Sequence, residues 1–178
     1  ISKSVNIIDN SATYGLSSSV DYQEGTTGTV TLTTTNLPSG TQVPYEISGV
    51  VDSSDFGIPL TGNITVGSNG IGTLAIPVSA DAKTEGNEPF TFTVFDTDGN
   101  PAKDLTNLRI VDTSTSSLTL SANKTTVNEG DSVIITLNAS GLPDGTQVNY
   151  TAIVQTNLGS TTIEDGFFTT TNNSDSDT

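Results

Sequence analysis

Apolar and polar residues alternate with a period of two along most of the chain. Between Gly28 and Thr34, Val30 and Leu32 fall on one face and the threonines on the other. From Thr73 to Val78 the apolar positions are Leu74, Ile76 and Val78, and from Pro89 to Phe95 they include Phe90, Phe92 and Val94. Successive side chains of a strand point to opposite faces, so this pattern predicts half-buried β-strands. No window sustains the i, i+3, i+4, i+7 spacing of an amphipathic helix. The three Phe/Val positions before Phe95 predict the heaviest part of the core. Val30, Leu32, Tyr45, Leu74, Ile76, Phe90, Phe92 and Ile110 are expected to point inward.

Turn residues separate these runs. Pro38-Ser39-Gly40, the stretch Gly67 to Gly70, and Asp98-Gly99-Asn100-Pro101 suit tight or left-handed backbone. Reading between them gives about seven strands, near 18–22, 28–34, 42–50, 61–66, 71–78, 88–95 and 106–112, the number of an immunoglobulin-like sandwich. Pro77 cannot donate to a ladder and is expected at a strand edge or bulge.

The pattern then repeats. Leu37 to Tyr45 reads LPSGTQVPY and Leu142 to Tyr150 reads LPDGTQVNY. Glu24-Gly25 pairs with Glu129-Gly130, Val30 with Ile135 and Leu32 with Leu137, each offset by 105 positions (129 − 24 = 105; 150 − 45 = 105). A fixed period the size of a small β-domain indicates a tandem array. Val5 to Asp9 also resembles Leu108 to Asp112. The expected fold is therefore all-β, with tandem immunoglobulin-like Greek-key β-sandwiches, one complete and one partial. Residues 1–15 are read as the last strand of a preceding repeat plus a linker, 16–115 as the complete sandwich, and 116–178 as a partial second one. The second unit runs to the counterpart of the fourth strand, near Gly166 to Thr170, and its tail from Asn172 carries no apolar anchor. Val133, Ile135 and Leu137 would then lack partners. Either the parent chain continues beyond Thr178, or Ile1–Asp9 of one subunit docks into its neighbour. The first is favoured, because one donated strand leaves other gaps unfilled.

Composition narrows the chemistry. Of 178 residues, 20 are Asp or Glu and 5 are Lys or Arg, a formal net charge of -15. Such a field repels phosphate and argues against nucleic acid and anionic membrane surfaces, while favouring hard cations. Cys, His, Trp and Met are absent, which removes disulfides, thiolate chemistry and the commonest general base. No apolar run approaches the ~18 residues of a membrane span. Ser and Thr abound without a base to activate them, and a thin sandwich offers no obvious cleft, so no enzyme activity is expected. Asp96 to Asn100 opens like an EF-hand loop, but Pro101 and Asn107 stand where that loop needs Gly and Glu, so a hairpin turn is expected. The sequons at Asn63, Asn123, Asn138 and Asn149 carry little meaning in an Asn- and Thr-rich chain.

The order of Glu24-Gly25, an acidic loop at Asp52 and Asp55, the run Asp81 to Val94 and Arg109 to Asp112 resembles the Calx-β repeat. Its best motif is Asp81, Glu85, Glu88 and Phe90. The resemblance covers 18–113 fully and 118–170 partially. That family is the calcium-binding sandwich of sodium–calcium exchangers, also found in tandem in large surface and virion proteins of cyanobacteria and their phages. The resemblance implies a Greek-key sandwich of seven strands and a Ca²⁺ site at one end. By position, its ligands would be Glu24, Asp52, Asp55, Asp81, Glu85, Glu88 and Asp112. Ca²⁺ accepts 6–8 oxygens in irregular cages. Ala80 precedes Asp81 and Thr113 follows Asp112, where calcium-binding members carry consecutive Asp residues, so binding would be weak or absent. The bland alternative is that these carboxylates are solvated and Glu88 pairs locally.

The expected function is a structural or adhesive β-sandwich repeat module of an extracellular fibre, stalk or virion-surface protein, whose partners are neighbouring repeats or identical subunits. The alternative is a calcium-binding module that rigidifies repeat junctions. Carbohydrate binding ranks lower, because Trp is absent and few aromatics are expected at the surface.

Overall fold

The computed structural model describes residues 3–5, 10–156 and 159–170. The chain divides into two compact units, one of residues 1–81 and 86–112, the other of 82–85 and 113–178. Among the described residues every regular element is a β-strand, so the fold is all-β.

The first unit builds two sheets. One has three strands in the order β1 (Thr13–Ser17), β3 (Thr27–Thr35) and β6 (Ile71–Pro77). The other has five, ordered β2 (Asp21–Gln23), β8 (Pro101–Val111), β7 (Glu88–Phe95), β4 (Gln42–Gly49) and β5 (Thr61–Thr65). All pairings are antiparallel except β2 with β8, which is parallel. The chain changes sheets between β1 and β2, β2 and β3, β3 and β4, β5 and β6, and β6 and β7. Alternating inward residues from both sheets therefore meet in one core. Val30, Leu32, Val43, Ile64, Ile76, Phe92, Val94 and Ile110 are among its fully buried members. Of the eight positions expected inside, seven are buried; Leu74 is half-buried and packs against the rest.

Aromatic rings fill the middle of this core. Tyr45 stacks on Phe92 with ring centroids 5.2 Å apart, and Phe90 meets both Tyr22 and Phe56 edge-on at 5.3 and 5.5 Å. Such pairs add to the apolar burial of rings this size. Tyr22 reaches the interior because Gly28 on β3 has no side chain; a Cβ there would collide with the ring. Its hydroxyl pairs with Ser18 Oγ, which satisfies the one polar atom the ring takes inward.

Three features depart from the expected strands. The first expected strand, 18–22, is two strands: β1 starts at Thr13 and pairs with β3, and after a break at Ser18–Val20 the chain joins the other sheet as β2. Thr13 to Gly15, read as linker, therefore belong to the sandwich. The break is visible in burial, since Leu16 and Tyr22 face inward whereas Val20, of the same parity, is exposed. The last strand begins at Pro101 rather than near 106, and its pairing with β7 slips between Phe90↔Leu108 and Phe92↔Leu105. An extra residue bulges there, with Asn107 in the left-handed region at φ 62°. Pro77 ends β6, an edge strand, as its missing N–H requires.

The second unit repeats the first half of this plan. β9 (Ser117–Ala122) pairs with β10 (Ile135–Ser140), and β11 (Gln147–Thr156) with β12 (Gly159–Thr169). Leu120 stands opposite Leu137 as Leu16 stands opposite Leu32, and Tyr150 opposite Gly166 as Tyr45 opposite Gly62. The offset is 104 for Leu16 and Gly62 (120 − 16; 166 − 62) and 105 for their partners. The repeated motif also makes the same bonds twice. Gly40 N–H donates to Val66 C=O at 2.7 Å and Gly145 N–H to Thr170 C=O at 2.8 Å. Thr41 and Thr146 each return a hydroxyl to the proline three residues back, Pro38 at 2.7 Å and Pro143 at 2.8 Å. Both glycines have positive φ, 88° and 82°, which explains why Gly recurs at this turn.

Among the described residues the buried core contains residues of the first unit alone. In the second, Leu118, Leu120, Val127, Val133, Ile134, Ile135 and Phe167 remain exposed. Residues 3–5 of the segment read as the last strand of a preceding repeat carry no strand; the rest of 1–9, and the tail from 171, lie outside the described residues.

Candidate functional site

One end of the first sandwich gathers the loops that carry most of the acidic candidates, and backbone hydrogen bonds hold them there. Glu24 follows β2, and its N–H donates to Val111 C=O at 3.3 Å. Next to it, Gly25 donates to Val78 C=O at 3.1 Å with φ at 70°, and a Cβ on it would come within 3.3 Å of Ala80. The loop after β4, from the five-stranded sheet, meets the end of β6, where Ser79 N–H donates to Asp55 C=O at 2.9 Å and Phe56 bridges Val78. Asp112, just past β8, accepts Gly86 N–H on Oδ2 at 2.7 Å.

The carboxylates themselves have separate duties. Asp52 Oδ1 accepts both the N–H and the hydroxyl of Ser54, at 2.6 and 2.5 Å. These bonds hold its pKa below the ordinary 3.8. Asp55 Oδ2 in turn accepts Asp52 N–H at 2.6 Å, so the two acids close one loop on itself. Glu88 opens β7 opposite Ile110 and is half-buried. Asp81 is exposed on the loop after β6, and Glu85 belongs to the 82–85 segment of the second unit. Among the described residues no three acidic side chains stand close enough together to hold a metal ion. The loops converge; the side chains in this arrangement do not.

The EF-hand-like stretch is a hairpin turn between β7 and β8. Asp96 Oδ1 accepts the N–H groups of Asp98 at 2.9 Å and Asn100 at 2.8 Å, and Asp96 N–H donates to Asn100 C=O at 2.8 Å. The same bonds, the Asn100 N–H foremost, lower the Asp96 pKa. Its oxygens are occupied by the turn they shape.

Sequence reasoning passed over a groove of about 540 Å³ on the outer face of the five-stranded sheet. Phe95, Pro101 and Ala102 line it together with Glu46, Thr93, Lys103 and Asp104. One signal was present in the sequence. Along β7 the inward positions are Phe90, Phe92 and Val94, so strand parity places Phe95 outward, a large apolar side chain at a polar position. Among the described residues no helix is long and apolar enough to cross a membrane. Comparison of the chain with protein-family models, with curated proteins and with solved structures finds no match.

Proposed function

We propose that this chain is a structural or adhesive repeat module of an extracellular fibre, stalk or virion-surface protein, of the Calx-β type. The observation that carries this reading is the doubled turn. Two units make the same hydrogen bonds through Gly40 and Thr41 and through Gly145 and Thr146. Arrays of similar β-units provide length and spacing, with each unit folding on local contacts. An acidic, Cys-free, Thr-rich surface suits prolonged exposure to a salty medium, where net charge keeps the chain soluble. The partners are neighbouring repeats or identical subunits. Antibodies raised against residues 13–112 should decorate intact source cells or particles. Labelling that appears only after lysis removes the proposal.

The gathered acidic loops favour a second reading, in which Ca²⁺ binds at this end and stiffens the junction between repeats. Glu24, Asp81, Glu88 and Asp112 would supply oxygens after side-chain rearrangement, within the loop positions fixed by the backbone bonds to Val78 and Val111.

A further inference from the structure

We propose that the groove over Phe95 is a binding site for one ring of a neutral saccharide. The site is independent of the structural role above and would stand if that role failed.

The groove is built by the pairing of three strands. Glu46 on β4 stands opposite Thr93 on β7, which stands opposite Asp104 on β8. The two acids therefore lie two strand spacings apart, roughly 10 Å between backbones, one on each side of the threonine. Two residues further along β7, Phe95 lies on the same face, opposite Pro101. The register slips between Val94 and Phe95, and a slip of this kind bends the strand and re-aims its side chains. The result is an apolar floor of Phe95, Pro101 and Ala102, flanked by the carboxylates of Glu46 and Asp104 and the hydroxyl of Thr93.

Each part matches a part of a sugar. The C–H face of a pyranose is apolar and packs on an aromatic ring. Its hydroxyls both donate and accept: Glu46 and Asp104 accept from them, and Thr93 does either. Competing ligands fit less well. An extended peptide adds to a free sheet edge, and β4, β7 and β8 are all interior strands of the five-stranded sheet. A phosphate or nucleic acid meets two carboxylates there. A volume of about 540 Å³ lies within the usual range for small-ligand sites, and its open shape suits weak binding.

The test is an amide-shift titration of the full chain with neutral malto-, cello-, xylo- and chito-oligosaccharides. At least one should bind with a Kd on the order of millimolar, shifting the amides of Thr93, Phe95, Lys103 and Asp104. Phe95→Leu keeps an apolar side chain but removes the ring face, and should weaken binding about tenfold or more, a loss of about 1.4 kcal/mol. Phe95→Tyr should restore it. Glu46→Gln with Asp104→Asn should weaken it severalfold while the core amides keep their shifts. The proposal is overturned if none of the four series shifts the groove amides at tens of millimolar. It is equally overturned if the shifts fall elsewhere, or if Phe95→Leu binds as the parent does.

Discussion

Tyr45 lies directly over Gly62 of the neighbouring strand. A methyl group at position 62 would come 2.8 Å from the ring carbon Cε1 and from the hydroxyl. Tyr150 stands in the same relation to Gly166, where the corresponding distances are 2.9 and 2.8 Å. Tyr45 is buried, stacks on Phe92 and donates its hydroxyl to Pro59 C=O at 3.2 Å. It has no room to yield. Gly62→Ala should therefore destabilise the first unit by about 1–3 kcal/mol, the usual cost of overpacking a filled site. Gly166→Ala should cost less, because Tyr150 is only half-buried. Urea unfolding of the two variants checks the order; an equal effect would mean that both rings move aside freely.

The core prediction concerns Phe92, which is 0% exposed and paired with Leu105 across β8 and Ile47 across β4. Phe92→Ala should cost about 3–5 kcal/mol, through lost transfer energy and the cavity left behind. Its contrast is Leu137→Ala in the second unit. Leu137 occupies the position of the fully buried Leu32 but is itself half-exposed, so its truncation should cost less than about 1 kcal/mol. Calorimetry should also resolve two transitions of unequal stability, since among the described residues the buried core lies in the first unit.

Those two positions show what was legible in the sequence. Alternation placed Val30, Leu32, Phe90 and Phe92 on the inner face because a half-buried strand leaves a period of two that nothing else imitates. It failed where the period broke. Leu105 and Leu108 are three apart, which hides a continuous strand unless the bulge at Asn107 is known. Ser18 to Val20 carry no Gly or Pro, so the change of sheet before Tyr22 left no turn signal. Loop positions followed from turn residues, and the acidic loops do meet at one end. Where each carboxylate points depends on bonds such as Ser54 to Asp52 and Gly86 to Asp112, and local sequence does not encode them. The groove stayed hidden because it is assembled from residues on three strands, with Phe95 its one clue.

Titration should loosen the fold at both extremes. Burial raises the pKa of Tyr22 and Tyr45 above the ordinary 10.0. A raised value means that the folded state holds these protons more tightly, so the stability is present below pH 10 and declines as pH rises through the folded values. At the acid end, Asp96 and Asp52 have pKa values lowered below 3.8 by hydrogen bonds to their carboxylates. Their contribution is present above the ordinary value and lost as pH falls through the folded one. Denaturant midpoints measured from acid to alkaline pH should fall at both ends. Tyr22→Phe should reduce the alkaline fall, and no difference between variant and parent there would remove Tyr22 as its source.

Calcium tests whether the gathered loops do more than shape one end of the first sandwich. The backbone bonds from Gly25 to Val78 and from Glu24 to Val111 fix Glu24 beside the ends of β6 and β8, where Asp81 and Asp112 follow in sequence. A cation bound there would draw these oxygens together and hold the loop ends in place. Added Ca²⁺ should then raise the Tm of the first unit, by an amount that grows with the ratio of ion concentration to Kd. Mg²⁺ at equal ionic strength should raise it less, because it sheds its water reluctantly and demands octahedral geometry. This comparison separates specific binding from simple screening, which treats the two ions alike. Asp112→Asn retains an acceptor for Gly86 N–H but removes a charge, so it should abolish the Ca²⁺ increment while leaving the metal-free Tm unchanged or slightly higher. A Tm that responds equally to both ions, or to neither at millimolar concentration, leaves these carboxylates as loop-shaping groups and the module as a plain spacer.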